Sequence, residues 1–365
     1  MHPSELKDLQ VAIVGGGYGG AAAAAALRHI GVGDVHVYER AAAVREVGAG
    51  IGLRPATIEL FADWGIRDSI AAVTSPSDAF EILTATGDLI HREEWPAAER
   101  ETKTRFVHRD DFINALLGVL PDGMVHIGRR AVAVEDRGDR ATVVFADGAT
   151  VTADLVIGAD GIRSVVRRQL FSDAPPVFSR SHAYRAVISA DDTHGLPLVD
   201  DLRLYIGDNG TTIYFLPLRH RHQVSFDITA PSDDDAWAPE ITKDDLMALV
   251  EGFDERLQAI TRDLDMSLVT SRAVYDIDPV DRWHTDSVAL LGDAAHAMLH
   301  HQGQGANSAI ADAGGLADAL VAADSVADAL ARYQATRKPV TDELQRISRQ
   351  GWDAGAVETA FPGQK

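Results

Sequence analysis

Leu9-Gln-Val-Ala-Ile-Val14 runs straight into Gly15-Gly16-Gly17-Tyr18-Gly19-Gly20, and this stretch decides the fold. The apolar run reads as a fully buried strand of a parallel sheet, because both of its faces are apolar. Residues 19–30 read as a helix and residues 34–39 (DVHVYE) as a second strand, so the chain opens on a βαβ unit. Gly15, Gly17 and Gly20 form GxGxxG. The first permits the tight turn, the second lets a pyrophosphate approach the backbone, and the third lets helix and strand pack closely. The helix start beside Tyr18 offers free amides and a positive partial charge to phosphates. Glu39 ends the second strand, with Arg40 beside it, where an acid accepts hydrogen bonds from a ribose diol. Strand, loop, helix and acid together predict a dinucleotide site. They do not separate NAD from FAD.

Two further apolar strands end in the same way. Residues 154–158 lead into Asp160-Gly161, and residues 287–292 (SVALLG) lead into Asp293. Each places a carboxylate at the C-terminal end of a sheet strand, where open α/β sheets bind ligands, with a glycine beside it for close approach. Between them, residues 132–135, 141–145 and 150–152 form a small antiparallel set turning at Ala146-Asp147-Gly148. Strand-like stretches dominate from 182 to 228 (YRAVIS, LRLYIG, TTIYFLPL, QVSFDI), after short strands at 79–84 and 89–92. Residues 57–64, 109–119 and 244–253 read as helices, with Asp110 or Asp111 supporting the start of the second. A long helical tail runs from about 307 to 350. The order is α/β, a small insert, an antiparallel block, then α/β again, which predicts an interleaved substrate domain with the ligand between layers.

The chain has 365 residues, no cysteine and a formal net charge of −21. Disulfides, thiolate metal sites, iron–sulfur clusters and cysteine nucleophiles are excluded. The charge speaks against nucleic acid and anionic membrane surfaces as partners. The one dense basic patch, Arg219-His220-Arg221-His222, reads as a hairpin turn with solvated charges. No apolar run is long enough to span a bilayer, and residues 1–10 are polar without a signal-peptide pattern, so a cytoplasmic protein is expected.

With these motifs in order, the chain resembles the class A flavoprotein monooxygenases, the superfamily of para-hydroxybenzoate hydroxylase and salicylate hydroxylase. Smaller marks agree. Arg45-Glu-Val-Gly-Ala-Gly50-Ile-Gly-Leu53 is similar to the segment that passes the flavin ring. Val107-His108-Arg109-Asp110 is similar to a helix start whose Arg holds the cofactor, and Gln302-Gly303-Gln304-Gly305-Ala306-Asn307 to the loop near the flavin pyrimidine. The resemblance covers nearly the whole chain. It implies a Rossmann-like (GR2-type) three-layer FAD-binding domain of α/β class over residues 1–75, 100–178 and 276–325. A mostly antiparallel substrate sheet is expected over 76–99 and 179–275, with C-terminal helices over 326–365.

The resemblance also implies roles. FAD would be bound tightly and non-covalently by Gly15, Gly17, Tyr18, Gly20, Glu39, Arg40, Arg45, Gly50, Arg109, Asp160, Gly161, Gly292 and Asp293, with the backbone from Gly303 through Gly305 and Ala306 to Asn307 facing the pyrimidine. NAD(P)H would be a transient co-substrate, since no second GxGxxG is present. Dioxygen would supply one oxygen atom to a small aromatic or N-heteroaromatic substrate. Members commonly carry Pro where Ala297 and His300 stand. His300 and His301 therefore bring titratable groups to a loop over the flavin. A metal on this histidine cluster is not expected, as adjacent side chains rarely point at one ion. Some relatives deprotonate the substrate with a His or Tyr on a sheet strand, and Thr212 stands where some carry that His. Tyr214, His300 and His301 are the catalytic candidates. Tyr184, Arg185, Tyr205, Thr212, Tyr214, Met298 and His300 are the substrate-contact candidates, with the strand register left open. An epoxidase, a Baeyer–Villiger or other flavin oxidoreductase, and a flavin-binding protein without turnover stand as alternatives. A monomer or homodimer is expected.

Overall fold

The computed structural model describes residues 1–42, 49–95, 102–300 and 303–350. Gln10–Val14 lies in the middle of a five-stranded parallel sheet ordered Val288–Leu290, Leu155–Gly158, Gln10–Val14, Asp34–Tyr38 and Val125–His126. Val11 to Val14 are buried, as a strand covered on both faces requires. On one face lies Tyr18–His29, whose alanines from Ala21 to Ala26 are buried. Their small side chains let Arg109–Leu117 and Gly305–Ala322 pack beside it. The other face carries an antiparallel sheet of Ala131–Asp136, Ala141–Phe145 and Thr150–Ala153. Helices, parallel sheet and antiparallel sheet make three layers around one core.

The second large unit is a seven-stranded sheet ordered Thr270–Asp276, Val177–Ser189, Gln223–Pro231, Thr212–Leu218, Leu202–Ile206, Ala79–Thr84 and Leu89–Glu94. All pairs are antiparallel except Leu202–Ile206 with Ala79–Thr84. Its back face buries Tyr184, Tyr205, Ile213, Phe215, Phe226 and Ile228 with Leu246, Val250, Phe253, Leu257 and Ile260. Those partners come from helices Lys243–Leu249 and Glu255–Asp263 and the turn between them. The front face meets the strand Gly50–Leu53. There the Gly50 amide donates to Ser225 Oγ at 2.8 Å, and a Cβ on Gly50 would lie 2.5 Å from Leu216 Cδ2. A side chain at this position would have to displace the end of Leu216 and crowd Ser225 Cβ.

The helical tail consists of two helices, Gly305–Ala322 and Val326–Ser348, and the Ser325 side chain caps the second by accepting from the Asp328 amide. Other expectations are corrected. The helix expected over 244–253 ends at Leu249 because Gly252 turns the chain at φ +83°. Arg109–Leu117 is capped by His108, whose Nδ1 accepts from the Asp110 amide, while Asp110 and Asp111 occupy its first turn. The 219–222 turn does close a hairpin, but its charges are not simply solvated. The His220 amide donates to Ser75 Oγ at 2.9 Å, and Asp111 Oδ2 lies 3.3 Å from His220 Nε2 and 3.2 Å from Arg221 Nε. The hairpin thus ties the large sheet to the start of the Arg109 helix.

Candidate flavin and substrate cleft

The glycine loop is shaped by steric necessity. Gly15 has φ +106°, and a Cβ there would sit 2.3 Å from Ala159 O; one on Gly20 would sit 1.9 Å from Gly15 O. A Cβ on Gly17 would meet nothing within 4 Å, so this side of the loop is open. Glu39 accepts from the Gly16 amide through Oε2 and from the Ala41 amide through Oε1, both at 2.8 Å. Glu39, expected to meet a ribose diol, braces the loop in this structure, and Arg40 is exposed beside it. The Arg109 guanidinium lies 4.6 Å over the Tyr18 ring. The Tyr18 hydroxyl is pushed up to about 12, by burial first, against the pull of Arg109 and Arg185, with Asp293 adding to the rise. Glycine loop, Arg109, Asp293 and the large sheet therefore share one electrostatic environment.

Asp160 and Asp293 sit differently. Asp160 accepts from the Val165 amide at 2.6 Å and from Ser164 Oγ at 2.5 Å, which fixes the start of Val165–Leu170. Gly161 turns at φ +77°. Asp293 is exposed and opens the short helix Asp293–His296 after Gly292, which has φ 62° and ψ −139°. Behind it, Asp312 Oδ2 accepts from the Gly292 amide at 3.1 Å and lies 2.5 Å from His296 Nε2, while Oδ1 accepts from Arg337 Nε at 2.8 Å. The side chains of His296 and Asp312 are 0% exposed. Burial pushes the Asp312 carboxyl up, but His296 and Arg337 outweigh it and hold it below the usual carboxylate range.

Asn307 fixes the opposite wall. Its Oδ1 accepts from the Arg54 amide at 2.8 Å and Thr57 Oγ1 at 2.7 Å, and its Nδ2 donates to Gly52 O and Gly303 O. It joins Gly50–Leu53 to the loop with Gly303 at φ +61° and to the helix start at Gly305 and Ala306. Its side chain is a brace, and only the backbone around it is left to meet a ring. Arg45 and His301 lie outside the described residues.

Strand register sorts the substrate candidates. Arg185, Asp227 and Tyr214 are neighbours across three strands, and Thr229 pairs with Thr212. All lie on the front face with Ser225 and Leu216. Arg185 Nε donates to Asp227 Oδ2 at 2.5 Å, and Thr229 Oγ1 donates to Asp227 Oδ1 at 3.3 Å and lies 3.2 Å from His300 Nε2. The Tyr214 and His300 rings meet edge to face at 6.2 Å. Leu204 and Ile82 continue the same row as an apolar floor. Met298 is half-buried in the loop before His300. Tyr184 and Tyr205 are corrected: they point to the back face, where Tyr184 lines a separate cavity of about 240 Å³ with His182, Asp234 and Asp245. Among the described residues no cluster of three or more His, Asp or Glu is placed to hold a metal ion. The sequence reading missed Asp227, Thr229, Asp312 and Arg337. The strand alternation around Tyr214 and Arg185 was the signal for the first two; the last two left no local mark.

The open side of Gly17, the exposed Asp293 and the Asn307-braced backbone are groups of the kind a flavin dinucleotide needs: amides for phosphates, a carboxylate for a polyol, and backbone groups for a pyrimidine edge. Comparison with known proteins agrees. A family model described as an FAD binding domain matches residues 8–348. The chain is 34% identical over 352 residues to 3-amino-4-hydroxybenzoate 2-monooxygenase of Streptomyces cremeus, covering 94% of this chain and 86% of that protein. It is 32% identical to 6-hydroxynicotinate 3-monooxygenase of Pseudomonas fluorescens, covering 93% and 90%. Klebsiella pneumoniae HpxO, solved with FAD and uric acid, superposes with a TM-score of 0.85 at 25% identity, over 96% of this chain and 91% of that one.

Proposed function

The chain belongs to the FAD-dependent class A flavoprotein monooxygenases, and from that premise we propose that it uses NAD(P)H and dioxygen to hydroxylate a small aromatic or N-heteroaromatic ring that already bears a hydroxyl group. FAD, when bound, supplies the electron transfer and the activation of dioxygen. The protein's part is to hold, orient and dry the reactants.

The observation that carries this reading is the front face of the large sheet. A polar group of Arg185, Asp227, Thr229, Tyr214 and His300 stands beside the apolar Leu204 and Ile82. Arg185 of this group and Asp293 both act on the Tyr18 hydroxyl, which supports placing the sheet face beside the glycine loop. A flat ring with one polar edge fits such a wall: its carbon face meets the leucine and isoleucine, and its hydroxyl meets the polar row. The relatives named above act on a hydroxybenzoate and a hydroxynicotinate, rings of this kind. In the same reading Asp293 and the Gly15–Gly20 loop hold the cofactor's polyol and phosphates, and Thr212 and Met298 border the substrate.

The test is a panel of 3-amino-4-hydroxybenzoate, 6-hydroxynicotinate, salicylate and uric acid. NAD(P)H oxidation by the purified yellow protein is followed together with product mass. At least one compound is expected to stimulate oxidation and gain one oxygen atom. Failure of every member to gain oxygen would overturn the hydroxyl-bearing-ring assignment.

A further inference from the structure

We propose that the cavity enclosed by the helices Pro55–Asp63 and Arg67–Ala72 and the start of the strand Arg105–His108 is a second ligand site, apart from the flavin and substrate walls, and that it takes a one-ring aryl carboxylate. This goes beyond the hydroxylase reading and does not depend on it.

Three short elements build the cavity. Ile58 and Phe61 are three apart on the first helix and share a face, as do Arg67 and Ile70 on the second. Strand pairing sets Pro76 beside Arg105. Together these six residues line a space of about 190 Å³, apolar from Ile58, Phe61, Ile70 and Pro76, and cationic from the two arginines.

The Arg105 guanidinium is held in a fixed plane. Its Nε donates to Thr74 Oγ1 at 2.5 Å, and its Nη2 donates to Thr74 O at 3.0 Å and Ala71 O at 3.3 Å. These bonds do not use Nη1. Burial first, and then the charge of Arg67, hold this guanidinium below its ordinary value, so the two arginines feel each other. Among the described residues no carboxylate is paired with either, although the chain has 55 acidic residues to 34 basic ones. The remaining polar lining is already matched. Lys103 Nζ meets Asp78 Oδ1 at 2.6 Å, and Thr102 Oγ1 donates to Glu59 Oε1 at 3.5 Å. Two like charges left side by side in so acidic a chain favour an anion from outside.

The lining selects the anion. A planar guanidinium matches a carboxylate edge, and the apolar residues match a ring face. The volume is below the roughly 300–1,000 Å³ of sites for drug-sized ligands, which limits the occupant to a single ring. An inorganic anion would leave the apolar lining unused. None of the residues placed at the glycine loop, Asp293, Asn307 or the sheet front lines this cavity. The Pro55–Asp63 helix serves both places with different residues: Thr57 Oγ1 donates to Asn307 Oδ1 at 2.7 Å, while Ile58 and Phe61 line the cavity.

The test is a titration of 4-fluorobenzoate into the FAD-loaded enzyme without NAD(P)H, followed by fluorine NMR. An aryl acid also suits the sheet front, so two variants on exposed helix positions mark the second site. Arg67→Gln removes a charge, and Ala71→Phe fills the space. Each is expected to weaken one binding event by about tenfold or more, the loss of a charge-assisted hydrogen bond or of the room for the ring. Arg137→Gln makes the same charge change on an exposed residue of the small antiparallel sheet and should leave that event intact. Inorganic phosphate should compete at least tenfold more weakly than benzoate. Thermal melting checks that each variant is folded. The proposal is overturned if wild type binds no fluorobenzoate, if either Arg67→Gln or Ala71→Phe leaves every binding event unchanged, if Arg137→Gln weakens binding as much as Arg67→Gln, or if phosphate competes as well as benzoate. Failure of the substrate panel to gain oxygen would leave this site standing, and loss of this site would leave the hydroxylase reading standing.

Discussion

Asp160 after Leu155–Gly158 and Asp293 after Val288–Leu290 stand at matching strand ends of the parallel sheet, each next to a glycine, yet they are spent differently. Asp160 is turned inward: its oxygens are taken by the Val165 amide and the Ser164 hydroxyl, so the residue that ends the strand also starts the next helix. At the other strand end the bracing is done by a residue from elsewhere. Asp312 holds the Gly292 amide and is itself held by His296 and Arg337, so Asp293 is left exposed. A carboxylate can serve a ligand when another carboxylate maintains the turn that carries it.

The largest effect should come from the hidden brace. Asp312→Ala leaves the Arg337 charge and the Gly292 amide without their partner and should cost about 3–5 kcal/mol of stability, read as a lower urea midpoint, with FAD lost in parallel. Asp312→Asn, which keeps the volume, should lose less. Equal stability of wild type and both variants would dissolve the contrast. Next comes a crossed pair. Asp293→Ala should weaken FAD binding by about 10- to 100-fold with little change in the apoprotein's melting, since a hydrogen bond to a charged group contributes about 1.5–3 kcal/mol. Asp160→Ala should do the reverse, costing about 1–2 kcal/mol of apoprotein stability, as lost caps do, with the smaller effect on FAD. Fluorescence titration of FAD and thermal melting of the apoprotein separate the two.

The smallest effect is a difference of sign with pH. Burial raises the Asp160 carboxyl above its ordinary value, so its stabilising contribution is full below about pH 4 and is lost as pH rises through the raised value. Asp312 is depressed despite burial, so its contribution is full above about pH 4 and is lost as pH falls through the lower value. Urea midpoints of wild type against Asp160→Asn and against Asp312→Asn, taken across the acid range, should therefore diverge in opposite directions.

These differences also mark what the sequence could say. The glycine loop, the two strand ends and the Ala-rich helix were legible because each is a contiguous pattern whose spacing is its geometry. The Asp312 brace was not. It joins a helix turn, a strand end and a later helix, and nothing near Asp312 in sequence announces a buried charge. The substrate wall was half legible. Alternation limits a strand to two sets of side chains, but a slip of one residue exchanges them. Arg185 and Tyr214 therefore lie on the front face while Tyr184 and Tyr205, side chains that also carry polar groups, pack against helices behind the sheet. Thr229 and Asp227 carried no chemical signature of their own; they acquire one from Arg185 and His300, which only the fold brings beside them. The 219–222 turn looked like surface charge because a hairpin tip normally is, and here it is docked on Ser75 and Asp111.

That docked hairpin bears on how such enzymes can diversify. The large sheet is contributed by separate stretches of chain, which suggests an exchangeable cassette: one sheet for one substrate, fitted to a constant flavin layer. The joint forbids free exchange. Gly50 is matched to Leu216 and Ser225 at one point, and Asp111 to His220 and Arg221 at another. A chimera that imports a foreign sheet without its own partners for these two seams would bring a methyl group or an unmatched charge into the join. Recombination should succeed only where seam and sheet travel together.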